Sequence, residues 1–217
     1  MAEIAVPVIA ESKSPTPWHP HHITERYGLF TLLLLGESLL ASSNATIEAL
    51  GEGGEHQGEL VWIAILAVVL TAALWWIYFW APHHALIGGL RRSIRYGYMH
   101  YFIFAAAGAM SAGIEVEIDS VTGESKLGEI AASYTITVPI AVFVMGVWWV
   151  AMRESAPRAV SIAIPAAAVL VLLDPIVPVP VTLTSIILIL AVVVLVIFPP
   201  KQPEDHSHEI ADPTRPS

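Results

Sequence analysis

Long apolar runs, each closed by a cluster of polar or charged residues, recur six times along the chain. A bilayer core of about 30 Å calls for roughly 20 mostly apolar residues in a helix. Stretches at 24–48, 59–81, 93–116, 130–152, 159–173 and 181–198 approach that length. The fifth is short and contains Pro165, whereas the sixth, VTLTSIILILAVVVLVIF, runs unbroken up to Pro199 and Pro200. Residues 1–23 form an N-terminal segment. Residues 199–217 are polar, contain proline and are expected to be a disordered tail. The pattern predicts an all-α polytopic membrane bundle of about six transmembrane helices.

Basic residues supply an orientation. In a six-span arrangement nine of the ten Lys and Arg residues fall on one side, including Arg91, Arg92, Arg95, Arg153 and Arg158. The other side, with the acidic loops GEGGEHQGE and EIDSVTGESKLGE, holds only Lys126, within the second of them. The positive-inside tendency then predicts both termini in the cytosol and an inner-membrane location. Removing the fifth span would break this alternation. Trp75, Trp76, Tyr78 and Trp80, with Tyr96, Tyr98 and Tyr101, cluster where headgroups are expected and read as an interfacial belt.

Composition agrees with a lipid environment. Apolar residues make up 55% and charged residues 13%, against roughly a quarter charged in soluble domains. There is no cysteine, so disulfides, thiolate metal sites and cysteine nucleophiles are excluded. No basic patch interleaved with aromatics points to nucleic acid. A P-loop, a dinucleotide fingerprint and a nucleophile elbow are all missing, and no cofactor is expected.

Span one holds the most unusual chemistry. Glu37 lies deep within it, where an ionised carboxylate facing lipid costs at least a few kcal/mol. It must be protonated, paired or turned toward a wet cavity. Arg26, Phe30, Leu33, Glu37, Ala41, Asn44 and Glu48 recur at steps of three or four and so share a helix face. Gly36 and Ser38 beside the carboxyl favour close helix approach. Glu25, Arg26, Glu37, Ser38 and Asn44 are the candidates here for binding a substrate or a proton.

Histidine supplies a second signal. His19, His21 and His22 precede span one, His83 and His84 follow span two, and His100 lies inside span three. With Glu25 the first five are candidate ligands for zinc or another divalent metal, although their spacing matches no metal signature. The alternative is a set of separate headgroup histidines. His100, beyond the Arg91–Arg92 anchor in apolar sequence, is a candidate to face the interior and joins the candidates for binding a substrate or a proton.

The segment HPHHITERYGLFTLLLLGESLLA resembles the H-x-x-ERYGLF-x(5)-GES hallmark of the bacterial low temperature requirement A family. AALWWIYFWAPHH is similar to that family's WWxYF segment, and GYMHYFIFAAAGAMSAGIEVEID to its following helix. The three matches fall in order between His19 and Asp119. Members of the family are multi-pass inner-membrane proteins without an established molecular activity. The resemblance marks Glu25, Arg26, Gly36, Glu37 and Ser38, with His22 and His100, as motif positions without assigning them a role. Members are typically longer and begin with an ELFFDLVF-type helix. This chain is therefore expected to be a C-terminal half or a truncated member, with a missing N-terminal half or a second copy as partner in the bilayer. The family often has Asp after WWxYF, where this chain has Trp80.

Three functions follow as expectations. The first is transport of protons, cations or a small polar solute through Glu37. The second is a membrane scaffold or assembly protein. The third is a histidine-dependent metal-binding membrane enzyme.

Overall fold

The computed structural model describes residues 19–51, 56–87, 89–176 and 181–200, together with Val6 and Ile9. The tail expected to be disordered and most of the N-terminal segment lie outside these residues. Among the described residues there are six long helices and no strand. They are α1 (Pro20–Gly51), α2 (Gln57–Phe79), α3 (Leu90–Thr122), α4 (Glu129–Val147), α5 (Arg158–Leu173) and α6 (Thr182–Ile197). Short turns follow α2 (His83–Leu86), α4 (a wide turn, Trp148–Met152) and α5 (Asp174–Ile176).

The chain is an all-α membrane helical bundle. With their appended turns, α2, α3, α4 and α5 are long and apolar enough to cross a bilayer, and α6 is a shorter apolar helix. Large apolar side chains such as Ile65, Val68, Ile162, Leu190 and Val196 point outward, as a lipid-facing surface requires. The helices close into a ring. α1 packs on α2 and α3, α3 on α4, α4 on α5, α5 on α6, and α6 returns to α2. Leu70, Leu74 and Ile77 of α2 meet Ile103 and Met110 of α3 and Ile140 and Phe143 of α4 in the core, and all seven are fully buried.

Glycine decides the closest of these contacts. A Cβ at Gly113 would overlap the backbone carbonyl of Thr135, and one at Gly146 would lie 2.8 Å from Cγ1 of Ile103. Two bare Cα positions thus let α3 and α4 approach closely along antiparallel paths, as small residues do between membrane helices. α3 ends at Gly123, whose φ of 81° suits glycine and whose N–H donates to the carbonyl of Asp119. Proline sits inside α4 (Pro139) and α5 (Pro165).

At the end of the bundle holding the α2–α3 and α4–α5 connections, Arg95 Nη1 donates to Glu154 Oε1 at 2.8 Å. Arg95 holds the exposed Glu154 carboxyl below the usual carboxylate range, first by this hydrogen bond and then by its charge. Arg153 lies 4.1 Å over the ring of Trp149.

Candidate functional site

The inner face of α1 is a stripe of small and hydroxyl residues. Thr24, Gly28, Thr31, Leu35, Ser38, Ser42 and Thr46 are buried at helical spacing. The hydroxyls of Thr31, Ser42 and Thr46 donate to carbonyls one turn back. Ser38 Oγ reaches both Leu34 O at 3.2 Å and, across the interface, Ala107 O at 3.4 Å. Ser38 thus ties α1 to α3.

The opposite face carries Arg26, Phe30, Leu33, Glu37 and Asn44, and all five are exposed. These residues do share a face, but it is turned away from the bundle. Glu37 is exposed on this face and takes part in none of the ion pairs among the described residues. Among the described residues α1 packs chiefly on α2, α3 and the His83–Leu86 turn, and its hydroxyl stripe is the buried side. Arg26 and Phe30 line a cavity of about 650 Å³ with Tyr27, Tyr101 and Phe104, and Glu37 is not among its lining residues. Glu25 is exposed, with its Oε2 3.7 Å from Nδ1 of His22.

The histidines divide into two groups. His19, His21, His22 and His84 gather around a cavity of about 470 Å³ that His83 also lines. The rings of His21 and His84 stack 4.6 Å apart, and those of His19 and His22 are 5.3 Å apart. Two separate sequence segments therefore converge. Among the described residues, however, no three His, Asp or Glu side chains are placed to hold a metal ion.

His83 and His100 belong to a different arrangement. His100 is fully buried. Its Nδ1 is 2.7 Å from the Tyr96 carbonyl and its Nε2 is 3.0 Å from the Tyr78 hydroxyl. His83 Nε2 is 2.7 Å from the Tyr78 carbonyl, and its Nδ1 is 3.0 Å from the Tyr96 hydroxyl. A carbonyl only accepts, so Nδ1–H of His100 and Nε2–H of His83 are the donors. Each remaining ring nitrogen then accepts from a tyrosine hydroxyl. The result is a closed circuit in which each imidazole bridges one tyrosine's hydroxyl to the other's carbonyl. Burial pushes His83 below its ordinary range, against the pull of the Tyr78 carbonyl and with a smaller push from His84.

The model of the bacterial low temperature requirement A protein family matches residues 1–197. The chain belongs to this family. No curated protein and no solved structure matches it. Within this LtrA-family chain, the position after WWxYF is occupied structurally, because Trp80 Nε1 donates to Leu195 O at 2.8 Å and ties α2 to α6.

The interfacial-belt reading needs correction. Trp75, Trp76 and Tyr101 face outward, but Tyr78 and Tyr96 are 1% and 2% exposed. Their hydroxyls have histidine partners in the core, which removes the reason for a tyrosine to seek headgroups. Sequence reasoning also missed two buried acids, Glu117 and Asp174, which are 5% and 1% exposed. Glu117 lies one turn beyond Gly113 on the same face of α3, and that spacing was a usable signal. Asp174 follows the least regular apolar stretch and offered no periodicity.

Proposed function

We propose that this LtrA-family membrane protein moves protons, cations or a small polar solute across the inner membrane. In this reading it works as an assembly in which a second copy covers the outward face of α1, and both termini are cytosolic, as the nine-to-one distribution of basic residues favours. The observation that carries the reading is the position of Glu37. It lies close to the midpoint of a 32-residue helix, roughly 26 Å from one end and roughly 21 Å from the other at 1.5 Å per residue. It stands on the exposed face, beside Gly36 and between Leu33 and Leu40. An acid at mid-membrane costs about 2.5–3.5 kcal/mol on insertion scales, and covering it with protein removes that exposure. A symmetric pair would bring Glu37 opposite its own copy, where two carboxyl groups share a proton readily.

A second reading, a scaffold without transport, draws support from the inner face of α1, where the hydroxyls of Thr31, Ser38, Ser42 and Thr46 all bond to backbone carbonyls. One experiment separates the two. Purified protein is reconstituted in vesicles containing a pH-sensitive dye, and proton flux is followed after an imposed gradient, with sodium and potassium gradients run in parallel. Transport predicts flux above protein-free vesicles and its loss in Glu37→Gln. No flux in the parent under any gradient leaves the scaffold reading.

A further inference from the structure

Roughly 25 Å along α3 from His100, at 1.5 Å per residue, the bundle holds a second polar cluster built from four elements. Glu117 comes from α3, Ser133 from α4, Asp174 from the turn after α5, and Thr184 from α6. Each is at least nine-tenths buried. The antiparallel register of α3 and α4 sets Gly113 against Thr135 and Ile136, so Glu117, one turn on, is level with Ala131 and Ala132, the residues just before Ser133. The Asp174 turn packs against α4 and α5. The charges that act on Glu117 are those of Asp174 and Glu129, both acidic.

The cluster is incompletely satisfied. Asp174 Oδ2 accepts the Thr184 backbone N–H at 3.0 Å and also the Thr184 hydroxyl. Asp174 Oδ1 and Ser133 Oγ have no partner, although both are buried. Neither Glu117 nor Asp174 takes part in any of the ion pairs among the described residues. Two neighbouring carboxyl groups in a low-dielectric interior do not both stay ionised without a positive charge between them. Unmet buried oxygens are costly for the same reason.

The donor set decides what that charge is. Every available atom is oxygen, from carboxylate or hydroxyl, which suits a hard cation and not a soft metal. Asp174 already faces the first turn of α6, whose N-terminal dipole offsets part of its charge, so a single positive charge balances the remainder. Exposed Asp119, Glu124 and Glu129 surround this end of the bundle, with Lys126 as the one base in the α3–α4 connection. Their field concentrates cations at the site's approach.

We propose that Glu117, Ser133, Asp174 and Thr184 form a binding site for a hard monovalent cation, sodium in the first instance. Its use as a coupling site rests on the transport reading. Its existence as a binding site does not, and binding is read without flux.

The test uses the full chain in detergent at about pH 8, well above the ordinary carboxylate range. Thermal unfolding is followed in sodium chloride and in choline chloride at equal ionic strength, with equilibrium binding of radioactive sodium alongside. The expected result is a saturable sodium-specific rise in Tm, one sodium bound per chain, and affinity weakened at least about tenfold in Glu117→Gln. Ser133→Ala removes a hydroxyl that makes no hydrogen bond and is expected to keep the fold while weakening sodium binding. This second variant is decisive if Glu117→Gln does not fold. Equal Tm in the two salts, parent-like sodium binding in folded Glu117→Gln, or, where that variant does not fold, parent-like sodium binding in Ser133→Ala overturns the proposal. So does stabilisation that depends on pH alone and not on the cation, which would assign the pair a shared proton. Stabilisation by calcium without any by sodium overturns the monovalent assignment.

Discussion

The Tyr78 hydroxyl lies 3.0 Å from Nε2 of His100, and this bond joins the aromatic end of α2 to the buried face of α3. Its counterpart, from the Tyr96 hydroxyl to His83 Nδ1, is also 3.0 Å long. Because each imidazole spends its N–H on the other tyrosine's carbonyl, the four side chains have one consistent proton arrangement. A buried polar group costs little when every donor has an acceptor. The circuit is thus a clasp between α2, the following turn and α3, holding two neutral histidines.

Breaking one bond of the clasp strands a ring nitrogen. Tyr78→Phe and Tyr96→Phe are each expected to lower stability by about 1–2 kcal/mol. Since the two bonds belong to one circuit, the double variant should cost less than the sum, with a coupling of roughly 0.5 kcal/mol or more. Reversible unfolding in mixed micelles measures all three. Strict additivity would mean that the two bonds act independently.

Acid should loosen the same clasp through His83, which sits in the turn outside the spanning helices. Burial holds its folded pKa below the ordinary value of 6.5. The unfolded chain therefore takes up a proton that the folded chain refuses. Stability is full above that value, falls as pH drops from it toward the folded pKa, and levels off below. Scanning Tm from about pH 8 to about pH 5 should show this decline in the parent and a flatter profile in His83→Gln. An unchanged slope in the variant sinks the assignment.

Much of this was legible in the chain. Apolar run length locates stretches that become helices, four of them long and apolar enough to cross a bilayer, because hydrocarbon thickness leaves few alternatives. The shared face of Arg26, Phe30, Leu33, Glu37 and Asn44 was legible too, since helical period fixes which residues align. Which way that face turns was not. Hydrophobic periodicity separates core from surface when water is the solvent, but in a bilayer both faces of α1 are mostly apolar. Serine and threonine, whose hydroxyls bond their own helix, mark the inner face better than leucine does. The partners of Tyr78 and Tyr96 were equally hidden, because they come from tertiary contact between α2, its following turn and α3.

Close approach of α3 and α4 rests on Gly113. An added methyl would overlap the Thr135 carbonyl oxygen, and a backbone atom has no rotamer with which to retreat. Gly113→Ala should therefore cost about 1–3 kcal/mol, appearing as a lower Tm in detergent. The matching change at Gly146 meets Cγ1 of Ile103 at 2.8 Å, a milder overlap and one with a side chain and not with backbone, so Gly146→Ala should cost less. The reverse order would show that the tightest contact lies elsewhere.

Glu37 supplies the last prediction. If a second copy covers the outward face of α1, residues beside Glu37 on that face meet across the interface. The chain contains no cysteine, so single-cysteine variants report contacts without background. Leu40, 56% exposed and near Glu37, should form an oxidised dimer in native membranes as Leu40→Cys, whereas Ile162, 71% exposed on α5, should not as Ile162→Cys. Combining Leu40→Cys with Glu37→Leu separates two causes of association. If the carboxyl pair drives it, crosslinking falls; if apolar packing around Gly36 drives it, crosslinking persists. Equal crosslinking of Leu40→Cys and Ile162→Cys would mean random collision in the bilayer, and the outward carboxyl would then face lipid without a protein partner.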